Sequence, residues 1–136
     1  MTSYGTIKAN NLTHSTAGTV STEYVVDGSA KCFAQYKQTD TAEVRQSLNV
    51  TSVTDDATGI WTVAFTNNFS DQYYCNYGSS DGGGTTQAVV TNAYSATYDS
   101  GNYRASSTNR CGTRNINDNS LNDRAFNAVA YLGELA

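Results

Sequence analysis

The sequence predicts an all-β, antiparallel chain. Three observations carry that prediction. Ten tyrosines and many threonines and valines favour the pleated, half-buried surface of strands. Short runs alternate apolar and polar residues, and few windows show helical spacing. Proline is absent, so chain reversal rests on Gly, Asn, Asp and Ser, which accept positive φ or bond their own backbone.

The 136 residues fit one domain. Residues 1–29 are small and polar. Ile7, Leu12 and Val20 are apolar anchors there, joined by Tyr24, Val25 and Val26. Such a segment buries too little to offset its ordering entropy. It is expected to be an extended arm ordered by lying on another chain.

From Ala30 the pattern sharpens into the body of the chain, residues 30–136. In Lys31–Tyr36, Cys32, Ala34 and Tyr36 share one strand face. In Ser47–Thr54 the apolar positions Leu48, Val50 and Val53 change parity, which predicts a bulge or a strand end near Thr51. Asp55–Gly59 is a turn cluster. The strongest strand follows, Ile60–Thr66, with Trp61, Val63 and Phe65 on one side and Thr62 and Thr66 on the other. Together these runs predict an antiparallel hairpin with a core of Leu48, Val50, Trp61, Val63 and Phe65. Further strands are expected at Tyr73–Tyr77, Gln87–Tyr94, Tyr103–Ser107, Cys111–Ile116 and Arg124–Gly133. Gly82–Gly84 reads as a loop. The apolar supply is lean for so many strands, and a homo-oligomer enclosing tyrosines and the arm would complete it.

Composition excludes several function classes. Twelve acidic side chains against eight basic ones leave a net charge of −4, which opposes nucleic-acid binding through clustered Lys and Arg. No apolar run is long enough to enter a membrane. The N-terminus lacks the apolar stretch of a signal peptide. Cys32, Cys75 and Cys111 show no metal-type spacing, and their odd number fits reduced thiols acting as small buried hydrophobes.

Candidate chemistry is thin. His14 sits in the polar arm with no neighbouring partner types. Asp55-Asp56 fits a turn better than an acid–base pair. Asp118 and Asp123 do not have EF-hand spacing. No nucleophile, base and orienting group occur together, so the expectation is no enzyme activity, no cofactor and no metal. Tyr73, Tyr74, Tyr77, Tyr94, Tyr98 and Tyr103, with neighbouring Asn and Asp, either stack on sugar rings or form strand faces and subunit contacts, and Tyr98 and Tyr103 are the foremost glycan candidates.

The runs Ala30–Tyr36, Val44–Asp55 and Thr58–Thr66 have a further significance. They resemble a domain of tailed-bacteriophage fibre and virion surface proteins, whose usual form is an "AKAWVNF" strand followed by an "SxNVSSVTDxGTGxYTVxF" hairpin. Tyr73-Tyr74 stands for the third element and Val129–Gly133 for the closing strand. Cys32-Phe33 replaces the common Ala-Trp pair, and Tyr36 the common Phe. The resemblance implies a β-sandwich-like homotrimer on a virion surface, made in the bacterial host cytoplasm. Residues 1–29 would attach it to capsid or tail proteins, and residues 30–136 would trimerise. Short fibre, knob, head fibre and capsid decoration all fit, as does a host-attachment tip touching surface polysaccharide.

Overall fold

The computed structural model describes residues 9–81, 88–92, 104–115 and 117–136, with backbone alone for His14 and residues 88–92. Ile7, Tyr94, Tyr98, Tyr103 and the Gly82–Gly84 run lie outside the described residues. The all-β prediction holds: the described residues form ten strands and one short helix.

The first three elements are β1 (Asn11–His14), β2 (Gly18–Ser21) and helix α1 (Thr22–Gly28). The segment read as an extended arm therefore has local structure of its own. β1 and β2 pair antiparallel, with Leu12 opposite Val20. Gly18, at φ +94°, opens the return strand, a conformation that glycine adopts without steric cost. Ser21 caps α1, its Oγ accepting from the Glu23 amide at 3.3 Å.

The body is built from β3 (Cys32–Lys37), β4 (Glu43–Leu48), β5 (Val50–Ala57), β6 (Ile60–Phe65), β7 (Cys75–Ser80), β8 (Ala88–Asn92), β9 (Thr108–Asn115) and β10 (Asn127–Leu132). They form two four-stranded sheets, ordered β4-β3-β10-β7 and β5-β6-β9-β8, with every pairing antiparallel. The chain changes sheet at Asn49, whose φ of +57° separates β4 from β5. Its side chain holds the corner, accepting from the Asn67 amide at 2.7 Å and donating to the Asn67 carbonyl at 3.1 Å. A register shift between Val50 and Ser52 follows. The parity change in the sequence is thus a corner and a bulge together.

That corner corrects one core assignment. Leu48 belongs to β4, not to the β5–β6 hairpin, and is half exposed. Val50 is partly buried against the core, while Trp61, Val63 and Phe65 are buried in it. The turn of the hairpin is Thr58-Gly59 alone, because β5 runs on through Ala57. The last strand is also shorter than its apolar run: Arg124 precedes β10 and lends its carbonyl to the Gln38 amide at 2.9 Å.

The two sheets share one aromatic core. Phe65 of one sheet meets Tyr131 of the other edge-on at 5.0 Å, and Tyr36 lies 5.5 Å from Trp61. Phe69 and Tyr74 complete the cluster around Phe65 at 4.9 and 5.6 Å. Edge-to-face packing of this kind adds to the area term. Several polar groups inside the core are bonded across it. Trp61 Nε1 donates to Thr113 Oγ1 at 3.3 Å, which donates to Asn127 Oδ1 at 3.0 Å. Asn109 Nδ2 donates to Tyr131 Oη at 3.1 Å.

The thiols divide. Cys32 and Cys111 are buried, as expected of small hydrophobes, but Cys75 is exposed on β7. Burial pushes the Cys32 and Cys111 thiols up from 9.0 to about 12. The unfolded chain loses these protons first, so stability present below pH 9 falls as pH rises toward 12. Denaturant titrations at pH 8, 10 and 11 should show midpoints falling in that order. Alanine or valine at both cysteines should flatten the decline.

Candidate assembly surfaces

The carboxylates singled out in the sequence do not form a reactive group. Asp55 Oδ1 accepts from Gln38 Nε2 at 3.0 Å. Asp56 Oδ2 accepts from Thr62 Oγ1 at 2.6 Å and lies 3.6 Å from Arg110 Nε. Asp118 closes a local turn on Ser120, whose hydroxyl and amide hold its carboxyl below the ordinary range. Asp123 instead clamps the Gly59 amide at 2.6 Å. Among the described residues no three His, Cys, Asp or Glu side chains are placed to hold a metal ion. Each carboxylate is occupied in a turn or a strand contact.

Among the described residues, apolar surface is left uncovered in two places. The first is the N-terminal module, residues 9–29. Helix α1 buries none of its residues, and Leu12, Val20, Tyr24, Val25 and Val26 are 40–73% exposed. The cross-strand pair Leu12–Val20 borders a surface hollow of about 300 Å³ on the hairpin. Thr22 ties the helix to the start of the hairpin, its amide donating to Asn10 O at 2.9 Å and its hydroxyl to Ala9 O at 2.6 Å. A two-stranded hairpin without a packed face is at best marginal in water.

The second is the outward face of the β4-β3-β10-β7 sheet. Burial alternates along β3 and β10, so Cys32, Ala34, Tyr36, Val129 and Tyr131 face the core. Phe33, Ala130 and Leu132 therefore face away from it. Strand register aligns Leu48, Phe33, Ala130 and Tyr77 in one row across all four strands. Leu48 is 50% exposed and Tyr77 61%. Between Phe33 and Tyr77 lies a trough of about 330 Å³ floored by β10, with no charged residue among the described residues of its lining.

The other sheet has the opposite character outside. Thr54, Thr62 and Arg110 form an outward row, with Asp56 accepting from Thr62 and forming an ion pair with Arg110 at 3.6 Å. This is the solvated face usual for an antiparallel sheet packed on one side. Tyr77, a candidate sugar-stacking ring in the sequence, is 61% exposed on this face, whereas Phe33 was not singled out by sequence reasoning. The signal for Phe33 was present, since a phenylalanine at the outward parity of a strand has no core to enter.

No protein-family model, no curated protein and no solved structure matches the chain.

Proposed function

We propose that this chain is a structural protein of a tailed-bacteriophage virion. In this reading it is a β-sandwich that assembles as a homotrimer and forms a short fibre, knob or capsid decoration at the particle surface. It is made in the bacterial host cytoplasm, where its thiols stay reduced. Its role is mechanical: residues 1–29 attach to a capsid or tail protein, and residues 30–136 trimerise and project outward. It binds no nucleic acid, enters no membrane and needs no cofactor.

One observation carries this reading. The N-terminal module exposes five large apolar side chains and α1 buries nothing, so its free energy is incomplete without a partner surface. The β-rich body and the motif resemblance of the β5–β6 hairpin agree with it. Attachment would proceed by strand addition to the β1–β2 hairpin or by packing of the Leu12–Val20 face into a groove. Threefold presentation would then raise weak outward contacts to useful avidity.

Deleting residues 2–29 should leave a folded, soluble oligomer that fails to join particles assembled in its presence. Quantitative blotting of purified particles measures this. Incorporation at the level of the full chain would refute the anchoring role.

A second reading, a glycan-binding tip, is favoured by Tyr73. Its ring is 80% exposed, and it lines a cleft of about 420 Å³ with Asp71 and Glu134. Asp71 fixes the approach by accepting from the Tyr73 amide at 2.7 Å. An exposed aromatic plane beside acceptors is the arrangement that sugar rings use.

A further inference from the structure

We propose that the sandwich binds one ordered water molecule in its interior, beside the Trp61 indole, held by Tyr36 Oη, Gln38 Oε1 and Asn127 Nδ2. The site belongs to a single chain and does not depend on the virion or trimer readings.

Three buried polar atoms meet at this end of the core. Tyr36, Gln38 and Asn127 are 2%, 3% and 0% exposed. The hydroxyl of the first, the side-chain oxygen of the second and the side-chain nitrogen of the third have no hydrogen-bond partner among the described residues. Topology brings them together. Asn127 stands opposite Tyr36 in the β10–β3 register, and both are buried on the inward side. Gln38 is the next inward position after Tyr36, and its amide continues the contact with the β10 side by donating to Arg124 O at 2.9 Å.

All three also border the same indole. The Tyr36 ring lies 5.5 Å from that of Trp61. Gln38 Nε2 donates to Ile60 O, one residue before Trp61, at 3.3 Å. Asn127 reaches Trp61 Nε1 through Thr113.

The bonds already made fix which atom each residue offers. The indole N–H only donates, so Thr113 Oγ1 accepts from it at 3.3 Å and gives its own proton to Asn127 Oδ1 at 3.0 Å. Asn127 must therefore present its NH2 group on the other side. Gln38 Nε2 serves Asp55 Oδ1, Ala57 O and Ile60 O at 3.0, 3.1 and 3.3 Å, which leaves its oxygen for a donor. The remaining set is one N–H donor, one carbonyl acceptor and one hydroxyl that serves either way.

Water matches that set. It accepts from Asn127 Nδ2, donates to Gln38 Oε1 and shares its third bond with Tyr36 Oη. About three bonds to otherwise unsatisfied groups is the usual complement of a buried water. A metal ion suits the set poorly, because the Asn127 amide hydrogens would face its charge. Three orphaned polar groups in one place are costly to a fold. The water also closes a circuit: Trp61, Thr113, Asn127, water and Gln38 return to the β5–β6 hairpin through both sheets.

The test uses the full chain and the substitution Tyr36→Phe, which keeps the ring beside Trp61 and removes one of the three bonds. A high-resolution crystal structure of wild type should show a water within hydrogen-bond distance of all three atoms. In solution, the Asn127 side-chain amide hydrogens should give cross-peaks to the water resonance with the sign of a long-lived bound molecule. Oxygen-17 relaxation dispersion should register that molecule, and its residence time should fall at least several-fold in Tyr36→Phe. The crystal and solution data on wild type stand whether or not the variant folds.

A direct bond from Asn127 Nδ2 to Gln38 Oε1 or Tyr36 Oη, with no water between them, would overturn the site. So would cross-peaks that vanish in Tyr36→Phe in a protein without oxygen-17 dispersion, since they would report exchange of the tyrosine hydroxyl proton. An unchanged residence time in a folded Tyr36→Phe would overturn the three-point geometry.

Discussion

Replacing Trp61 with alanine should destabilise the fold by about 4 kcal/mol, the largest effect expected of any single core truncation here. Trp61 is fully buried on β6 and stacks against Tyr36 from the facing sheet at 5.5 Å. Its removal takes away the transfer term and the contacts around the cavity left between the two sheets. It also takes the indole hydrogen bond from Thr113, which donates in turn to Asn127 Oδ1 on the facing sheet. The loss therefore spreads across both sheets. Urea denaturation should show a lower midpoint with an unchanged slope. Trp61→Phe should lose less than half as much, since a ring contact with Tyr36 survives while the hydrogen bond and part of the buried ring volume go. A Trp61→Ala protein within about 1 kcal/mol of wild type would mean that the two sheets do not depend on this contact.

Gly59→Val should be nearly as damaging, at about 3 kcal/mol, for a backbone reason rather than a packing one. Gly59 has φ +65°, in the left-handed region that β-branched residues avoid. A Cβ there would sit 2.6 Å from the Asn122 amide nitrogen and 2.7 Å from the Thr113 carbonyl oxygen. Neither atom can move freely. Thr113 N donates to Gly59 O at 2.7 Å, and Asp123 accepts from the Gly59 amide at 2.6 Å. The turn is thus gripped by β9 and by the segment leading into β10. Gly59→Ala should show a smaller loss of the same sign. Thermal melts of the two variants measure the difference, and a Gly59→Val melting point equal to wild type would contradict the clamp.

Part of this was legible in the residues. The β5–β6 hairpin was readable because alternation of Trp61, Val63 and Phe65 with Thr62 is a period-two signal, and Thr58-Gly59 is a turn dipeptide. The inner face of β3 was readable for the same reason. Leu48 was misplaced because apolar spacing along a run says nothing of which sheet each part joins. The positive φ at Asn49 decides that, and asparagine tolerates it without announcing it. The hairpin and helix within residues 11–28 were hidden by weak periodicity: Tyr24, Val25 and Val26 are consecutive and define no face. Tyr74, expected inside a strand at Tyr73–Tyr77, precedes β7 and enters the core from an irregular segment, its hydroxyl bonded to Thr108 O at 3.1 Å, and Phe69 enters from another, where no strand period marks it. The trough between Phe33 and Tyr77 depends on which strands are neighbours. That order, β3-β10-β7, joins residues about a hundred positions apart and is set by tertiary packing.

An aromatic core is enclosed within the chain, and among the described residues two apolar surfaces stay uncovered. In the proposed function, partner surfaces cover them. Sedimentation equilibrium of the purified full chain across micromolar concentrations tests this most directly. The account predicts one species of three times the 14.6 kDa chain mass. A single 14.6 kDa species throughout that range would contradict it.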